Sequence, residues 1–363
     1  MSCVISVNIP FVTGRCDFYG RNLYPNTAPA VKHAYLDALI AEARSVSEDL
    51  GEPVSCVAFE GGALGTIEPQ KLREFLSELA SALPLADDCF VSAEVDPGLL
   101  STATMDELLA FGISVLRFHC LTSNSIESER LERAGAVGEM AKSRIVLESA
   151  GFFNIDAQIL VGLVGQTEKT VLKTLRELVL SSDVNHCTLL PARGSVAGDA
   201  VFATEMFCVA SSFLKEHGFV QYAPLCFAKP GFELAIERVR KSGDVVGLGP
   251  STVSRLGDLT WANGGDIDAY IRSEADPEVI TESVVEIAGP LASAQKEISR
   301  LWQLGSTSLS VDFVGSGHFT ESRTHSGGGS VNINGFNLTG STAYTDTYSS
   351  DTMSLIWTYK LYA

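Results

Sequence analysis

The sequence has no long apolar run and comparatively few positive charges. None of its hydrophobic stretches approaches the roughly 20 residues that a membrane-spanning helix needs. Its 26 Lys and Arg residues stand against 44 Asp and Glu, a formal charge of −18, which argues against nucleic acid or an anionic membrane as a partner. Residues 1–4 lack the basic flank of a signal peptide. We therefore expect an acidic, cytoplasmic, globular protein.

The sequence also lacks paired or clustered cysteines. Its eight cysteines are scattered, and several lie within apolar runs, among them Cys56, Cys89, Cys187 and Cys208. Scattered thiols in apolar surroundings are typical of reduced, core-filling cysteines in a cytosolic protein. We predict no disulfide framework and assign no metal site.

What the sequence does contain, over its first 230 residues, is an alternation of strand-like and helix-like segments. The short β-branched runs cover residues 4–9, 54–59, 90–95, 114–119, 155–161 and 186–190. Segments with helical periodicity cover residues 30–50, 69–83, 104–111, 125–150, 168–180 and 200–217. Six β–α units of this length imply right-handed crossovers and a parallel sheet covered by helices. The predicted fold class is therefore α/β.

The pattern changes twice, and the changes suggest three parts: residues 1–218, 219–304 and 305–363. The second part mixes a Gly-rich strand with helical stretches at residues 266–273 and 277–304. The third is rich in Ser, Thr and Gly and has period-two runs, which predict a small antiparallel β appendage with a mobile loop at the three glycines 327–329. A disordered tail is the alternative. An ordered appendage offers a surface for a protein partner or for a homodimer.

Several short motifs occur in a fixed order between residues 3 and 275. They read ISVNIPF (5–11), FEGGAL (59–64), SAEVDPG (92–98), GFFNID (151–156) and GLVGQT (162–167). In this order they resemble the oxygen-independent coproporphyrinogen oxidase (HemN/HemW-like) branch of the radical S-adenosylmethionine (SAM) superfamily. The resemblance implies a partial (β/α)6 barrel of the TIM type, with the active site at the C-terminal ends of its strands.

The cysteine motif that the resemblance implies is incomplete. In that family three thiolates hold a [4Fe-4S] cluster, and the three corresponding positions here are Val12, Cys16 and Tyr19. Valine and phenol do not ordinarily replace thiolates on iron. We therefore expect no iron–sulfur cluster. Cys16, Tyr19 and Asp96 are predicted instead to contact a small-molecule substrate.

The SAM-binding positions that the resemblance implies are retained in part. Gly61 and Gly62 keep the bare backbone that lets a ligand approach closely. Glu94 and Arg133 keep the charges that the family uses around the amino-acid end of SAM. Gln158 stands where an aspartate usually holds the ribose, and its amide can still form hydrogen bonds. These five residues are the predicted cofactor site, and the resemblance leaves SAM binding open.

Two new polar residues stand where the family commonly has glycine. Glu60 and His119 both fall at strand C-terminal ends, and with Glu94 they form the predicted catalytic set. A carboxylate beside an imidazole in a partly dry pocket can bring a proton donor's pKa toward neutral pH. The alternative is structural: His119 as a satisfied core histidine, and Glu60 as an ion-pair partner of Arg117 or Arg133.

Three functions fit this pattern. The favoured one is a cluster-less enzyme that performs polar, non-radical chemistry on a small molecule in biosynthesis, as a SAM-dependent transferase (methyl transfer) or cyclase. The second is a non-catalytic pseudoenzyme that serves as a partner or a tetrapyrrole carrier, and the third is an atypical radical SAM enzyme. The first is favoured because decay more often leaves small or apolar residues than new acids and a histidine.

Overall fold

A computed structural model describes most of the chain. It covers residues 3–14, 22–132, 136–180, 184–237, 244–257, 259–273, 276 and 280–286. Beyond these it gives, for the backbone alone, strands at residues 308–315, 326–333, 336–343, 347–349 and 352–360.

A twelve-stranded sheet forms the frame of the molecule. Its six central strands are parallel and neighbour one another in chain order. They are β1 (Cys3–Ile9), β4 (Val54–Gly61), β5 (Leu85–Val95), β6 (Ile113–Leu121), β7 (Ile155–Val161) and β8 (His186–Pro191). The short strands β2 (Phe11–Val12) and β3 (Tyr24–Pro25) pair with each other. The predicted α/β class with a mostly parallel sheet is confirmed.

Helices follow the strands at the predicted places. They are α1 (Pro29–Ser47), α2 (Pro69–Ala82), α3 (Thr102–Phe111), α4 (Ser125–Arg130), α5 (Ala136–Ser149), α6 (Glu168–Leu175), α7 (Ala200–Glu216) and α8 (Ile267–Arg272). Local chemistry sets their starts: a proline opens α1 and α2, and the Ser101 and Thr167 side chains cap α3 and α6. None of the described helices has the length and apolarity needed to cross a bilayer.

One predicted helix is divided. The periodicity over residues 125–150 predicts a single helix, but the structure has α4 and α5 instead. The reason is visible at Glu132, whose φ of 51° lies in the left-handed region and cannot continue a right-handed helix.

The sheet continues at both ends beyond the six parallel strands. β9 (Val220–Gln221) and β10 (Cys226–Ala228) extend it antiparallel past β8. On the other side β11 (Asp244–Leu248) pairs parallel with β1, and β12 (Val253–Leu256), β13 (Leu259–Asn263) and β14 (Thr281–Glu286) follow antiparallel. The sheet thus crosses the predicted boundary at residues 218/219, and the three-part division stays a prediction.

Within the predicted helical stretch 277–304, the structure has the strand β14. The helical prediction was wrong there because the strand pairs along its length with β13, and its β-branched residues Thr281, Val284 and Val285 favour that pairing over a helix.

The C-terminal part contains antiparallel strands, as predicted from its alternation. β15 (Ser308–Gly315) and β18 (Thr347–Ser349) pair with β19 (Thr352–Lys360), and β16 (Ser326–Ile333) pairs with β17 (Phe336–Ala343). The glycines 327–329 lie inside β16 rather than in the predicted mobile loop. Glycines can take part in a strand because the backbone hydrogen bonds of a strand pair need no side chain. The register is irregular at Gly327, and glycine within a strand often marks such a bulge.

The two faces of the six parallel strands differ in chemistry. Successive strand residues point to opposite faces. One face packs against the helices as the main apolar core, with Val7, Phe59 and Phe118 among its fully buried residues. The opposite face begins with a small apolar cluster that includes Val115 and Leu234. Above that cluster its residues are polar, and these residues form the candidate site.

Candidate active site

A cavity of about 240 Å³ lies at the C-terminal ends of β5 and β6. The C-terminal ends of parallel strands meet at one edge of the sheet, which is where α/β barrels place their ligands. Acidic side chains line part of the cavity: Asp96, Glu132 and Glu139. Leu121 and Leu131, which belong to a separate buried apolar cluster, line another part. The cavity therefore has an acidic wall and an apolar wall.

His119 lies between two carboxylates where β6 reaches this cavity. Its Nδ1 is 3.1 Å from Asp96 Oδ1, and its Nε2 is 3.4 Å from Glu94 Oε2. Burial disfavours a charged imidazole, but the hydrogen bonds to Asp96 and Glu94 outweigh burial and raise the pKa of His119. The raised pKa favours the imidazolium form, in which both ring nitrogens can donate to the two acids. We call Asp96, His119 and Glu94 the cavity cluster.

Glu94 is the most constrained member of the cavity cluster. Its Oε2 accepts the Gly61 N–H at 2.8 Å, and its Oε1 accepts from Gln158 Nε2 at 2.9 Å. Both Glu94 and Gln158 are buried. Because both carboxylate oxygens have donors within the protein, Glu94 acts as a fixed support for His119. Gln158, predicted as a cofactor contact, is one of those donors.

The glycine turn after β4 is explained by the packing of the chain itself. Gly61 has a φ of 98°, which favours glycine. A Cβ on Gly62 would lie 2.2 Å from the Phe11 carbonyl oxygen and 2.6 Å from that of Ile9. The Gly62 N–H also donates to the Ile9 carbonyl at 2.6 Å. The absence of side chains here thus serves close contact with β1 and β2, and the predicted role of Gly61 and Gly62 in cofactor binding stays a prediction.

Glu60 has a different neighbour from the one predicted. It accepts a hydrogen bond from Ser6 Oγ at 2.8 Å and forms an ion pair with Arg117 at 3.2 Å. This is the structural alternative raised for Glu60, whereas the carboxylates on His119 are Asp96 and Glu94. The contacts of Glu60 thus favour the structural alternative, and its pairing with His119 in a catalytic set stays a prediction. Arg117, a permanent cation on the same sheet face, competes for Glu60.

Of the predicted site residues, the structure places Asp96 and His119 on the cavity wall. Cys16, Tyr19 and Arg133 lie outside the described residues. The cavity reaches Thr13 and Gly14, the last described residues before the segment that contains Cys16 and Tyr19. The predictions for these three residues therefore stay predictions.

Backbone strain is concentrated at the cavity. Of the four non-glycine residues with left-handed φ in the described chain, Leu121 (57°) and Glu132 (51°) both line it. The Thr122 N–H donates to the Cys120 carbonyl at 2.7 Å, closing a tight turn around Leu121. The pairing of β6 with β7 is also irregular between Phe118 and Leu121. Strain and bulges of this kind are common at functional sites, where they redirect side chains.

A second polar cluster lies on the same sheet face, nearer the N-terminal ends of the strands. Arg117 Nε donates to Asp156 Oδ2 at 2.9 Å, Thr188 Oγ1 donates to Asp156 at 2.9 Å, and His186 Nδ1 lies 2.8 Å from Asp156 Oδ1. Burial disfavours the ionised form of Asp156, but His186 and Arg117 outweigh it and lower its pKa to about 2. We call Arg117, Asp156, His186 and Thr188 the floor cluster.

Sequence reasoning did not assign the floor cluster, although a signal was present. Polar residues alternate with apolar ones in strands that are otherwise buried, as in Arg117 and His119 of β6 or Asp156 and Gln158 of β7. Polar residues at i and i+2 of a buried strand share a face. Such pairs on three neighbouring strands predict a polar interior.

The described residues do not fit a cluster held by three thiolates. Val12 has no donor atom and is buried in β2. Cys120 reaches the cavity, but burial, together with Asp156 and Asp96, raises the pKa of its thiol. Within the described chain, no three His, Cys, Asp or Glu side chains form a group suited to a metal ion. Cys16 and Tyr19 lie outside this part, so the expected absence of a cluster stays a prediction.

Comparison with known proteins supports the resemblance seen in the motifs. No family model matches the chain. It is 27% identical over 301 residues to an oxygen-independent coproporphyrinogen III oxidase of Pseudomonas aeruginosa, covering 73% of this chain and 64% of that protein. It is 26% identical over 310 residues to the heme chaperone HemW of Bacillus subtilis, covering 77% of this chain and 80% of that protein.

A solved structure matches the fold over most of the chain. Coproporphyrinogen III oxidase (HemN) of Escherichia coli, described as a radical SAM enzyme, aligns with a TM-score of 0.74 and 19% identity, over 85% of this chain and 76% of that one. The fold is thus that of HemN, and the chain is similar in sequence to the HemN/HemW-like branch of the radical SAM superfamily. The resemblance and the predicted fold class are confirmed.

Proposed function

We propose that the chain binds SAM, or a closely related cationic nucleoside, in this cavity and uses it in polar rather than radical chemistry on a small molecule. The observation that carries the proposal is the buried cavity cluster, in which Asp96 and His119 reach a cavity at the C-terminal strand ends. The chain spans 64% of the Pseudomonas oxidase that it resembles, so that protein's whole activity is not assigned to this chain.

The charge of the cavity supports a cationic ligand. Asp96, Glu132 and Glu139 line it, and two cations, a protonated His119 beside Asp96 and Lys142 at 2.6 Å from Glu139, offset only part of their charge. SAM carries a positive sulfonium, an ammonium group and one carboxylate, so its net charge is positive and acidic side chains favour it over an anion. The apolar wall formed by Leu121 and Leu131 suits the uncharged part of such a ligand.

The geometry suggests separate roles for the three members of the cavity cluster. When bound, SAM supplies an electrophilic methyl group on its sulfonium. Asp96 is placed to accept the proton of a nucleophile in the cavity, and His119 balances the charge of that carboxylate. Glu94 holds His119 in place through the ring nitrogen Nε2. Glu60, engaged by Arg117, is assigned no catalytic role.

We further propose that the protein works without a conventional [4Fe-4S] cluster. The relatives carry names of an oxidase and a heme chaperone, and the HemN structure is described as a radical SAM enzyme. Radical chemistry of that type requires three thiolates on the cluster. Val12 supplies none, and this substitution favours polar chemistry over the alternative of an atypical radical enzyme.

The proposal is tested by titrating SAM into the iron-free full-length chain in a calorimeter. We expect saturable binding at one site, and at least a tenfold weaker affinity in Asp96→Asn, which removes a cavity-facing charge with little change of shape. Ser47→Ala is a control, because Ser47 is the last residue of α1, its hydroxyl donates to the Arg44 carbonyl and it does not line the cavity, so it should leave the affinity unchanged. If the wild-type chain gives no heat of binding, the proposal is wrong.

A second candidate function is a non-catalytic tetrapyrrole carrier or partner protein. It is favoured by the similarity to HemW, which extends over 80% of that heme chaperone. Heme carries propionate groups, however, and the acidic cavity wall disfavours an anion. A heme titration followed by absorbance separates the two: stoichiometric heme binding without SAM binding supports the carrier.

A further inference from the structure

We propose that Arg117 is a positioning residue of the candidate active site, and that it holds Glu94 as an ionised carboxylate against His119. The inference deepens the proposed function, since it concerns the same site. Its test needs neither ligand nor turnover, so a failure of this inference can be distinguished from a failure of the proposed function.

Arg117 is surrounded by acids from three neighbouring strands. It is 4% exposed, and its Nη1 lies 3.2 Å from Glu60 Oε1 and 3.9 Å from Glu94 Oε1. On its other side Nε donates to Asp156, which also contacts His186 on β8. Glu237 adds a further negative charge within range. Arg117 thus connects the floor cluster with the cavity cluster.

The register of the sheet places Arg117 where it can act on His119 through Glu94. Glu94 on β5 pairs directly with Arg117 on β6, and His119 lies two residues further along β6, on the same face. A cation close to Glu94 favours its ionised form, which is the form that attracts the imidazolium. Arg117 and His119 therefore hold the same carboxylate from two sides.

Without Arg117, the surroundings of Glu94 would be poorer in positive charge. Glu94 is 2% exposed, and its other donors besides His119, the Gly61 N–H and the Gln158 amide, are neutral. Burial favours the protonated form of such a carboxyl group. A neutral Glu94 is a weaker partner for the imidazolium, so His119 would lose its proton at a lower pH.

The competing explanation is purely structural. In it, Arg117 only balances Asp156 and Glu60 in the sheet interior, and its loss lowers stability without changing His119 in this way. Removal of a nearby cation alone would make His119 easier to protonate, because like charges repel. The two explanations therefore predict opposite shifts of the His119 pKa.

The test is an NMR titration of the histidine rings in the full-length protein. The chain has six histidines, and the His119 signals are identified by their loss in His119→Gln. We expect Arg117→Met to lower the His119 pKa by at least one unit. Arg117→Lys should lower it less, because lysine keeps the charge but lacks the planar fork that bridges two acids.

A double substitution shows whether the effect passes through Glu94. Glu94→Gln should itself lower the His119 pKa, and adding Arg117→Met or Arg117→Lys should lower it no further. Arg73→Met is the control for loss of an arginine that pairs with an acid outside the cavity lining, since Arg73 pairs with Glu107, and it should not move the His119 signals.

The proposal is overturned if Arg117→Met raises the His119 pKa or leaves it unchanged. Should Arg117→Met fail to fold, Arg117→Lys decides. The proposal is contradicted if Arg117→Lys lowers the His119 pKa by the same amount in the wild-type background and in the Glu94→Gln background. Absence of SAM binding would remove the proposed function and leave these titrations unaffected.

Discussion

The cavity cluster and the floor cluster contain similar groups on the same sheet face, yet their surroundings differ. In the floor cluster Asp156 is fully buried and contacts Arg117, Thr188 and His186, all from the neighbouring strands. In the cavity cluster Asp96 and His119 border an open space and strained backbone. Similar acid–base chemistry therefore serves stability at one end of the strands and is available to a ligand at the other.

The largest loss of stability is expected from a substitution that breaks the floor cluster. Asp156→Asn leaves Arg117 and His186 without their shared anion, and removing one partner of a buried ion pair costs roughly 3–5 kcal/mol. We expect a loss of that size in the free energy of unfolding in urea at pH 7. A loss below about 1 kcal/mol would show that the floor cluster is not structural.

The stability lost in Asp156→Asn should depend on pH in a definite direction. The pKa of Asp156 is lowered from 3.8 to about 2, so its ionisation stabilises the fold above pH 3.8, and this contribution disappears as the pH falls through 2. The difference in unfolding free energy between wild type and Asp156→Asn should therefore shrink over this range. A difference that grows with acid would contradict the assignment.

A smaller loss is expected at the glycine turn that follows β4. Gly62→Ala forces a Cβ against two backbone carbonyls and should cost about 1–3 kcal/mol or more. Gly138→Ala is the matched control: it lies in α5, where a Cβ would meet nothing within 4 Å, and should stabilise by about 0.5–1 kcal/mol. Equal melting temperatures for the two variants would be inconsistent with this account of the turn.

The cavity cluster should show the opposite pH dependence from the floor cluster. The pKa of His119 is raised above 6.5, so the stability from its charge is full below pH 6.5 and is lost as the pH rises through the raised value. The stability difference between wild type and His119→Gln should be larger at pH 6 than at pH 9. A constant difference would show that the imidazole is not charged in the fold.

The smallest effect sets a baseline for both clusters. Arg73 and Glu107 form a bidentate pair between α2 and α3, with the Arg73 side chain 70% exposed and the Glu107 side chain 8% exposed. A pair whose cation is open to solvent contributes less than a fully buried pair, because water and salt screen it. Glu107→Gln should therefore change the melting temperature far less than Asp156→Asn does. A similar loss in both variants would remove the distinction between a solvent-screened pair and a fully buried one.

The sequence predicted the parallel strands well because their β-branched runs are long and bounded by clear turns. It also singled out His119, Glu94 and Asp96, which the structure brings together. It raised Arg117 as an alternative partner of Glu60 but could not choose between that pair and a catalytic role, since partner choice among buried charges depends on distances across strands. Left-handed Glu132 and the paired strand β14 were missed for a related reason: tertiary contacts override local periodicity.

The most direct test of the central claim is a calorimetric titration of SAM into anaerobically purified chain whose iron and sulfide content has been measured. The account predicts one saturable SAM site in protein that holds no stoichiometric iron, with the affinity reduced in Asp96→Asn. SAM binding that occurs only after iron and sulfide have been loaded into the chain would contradict it.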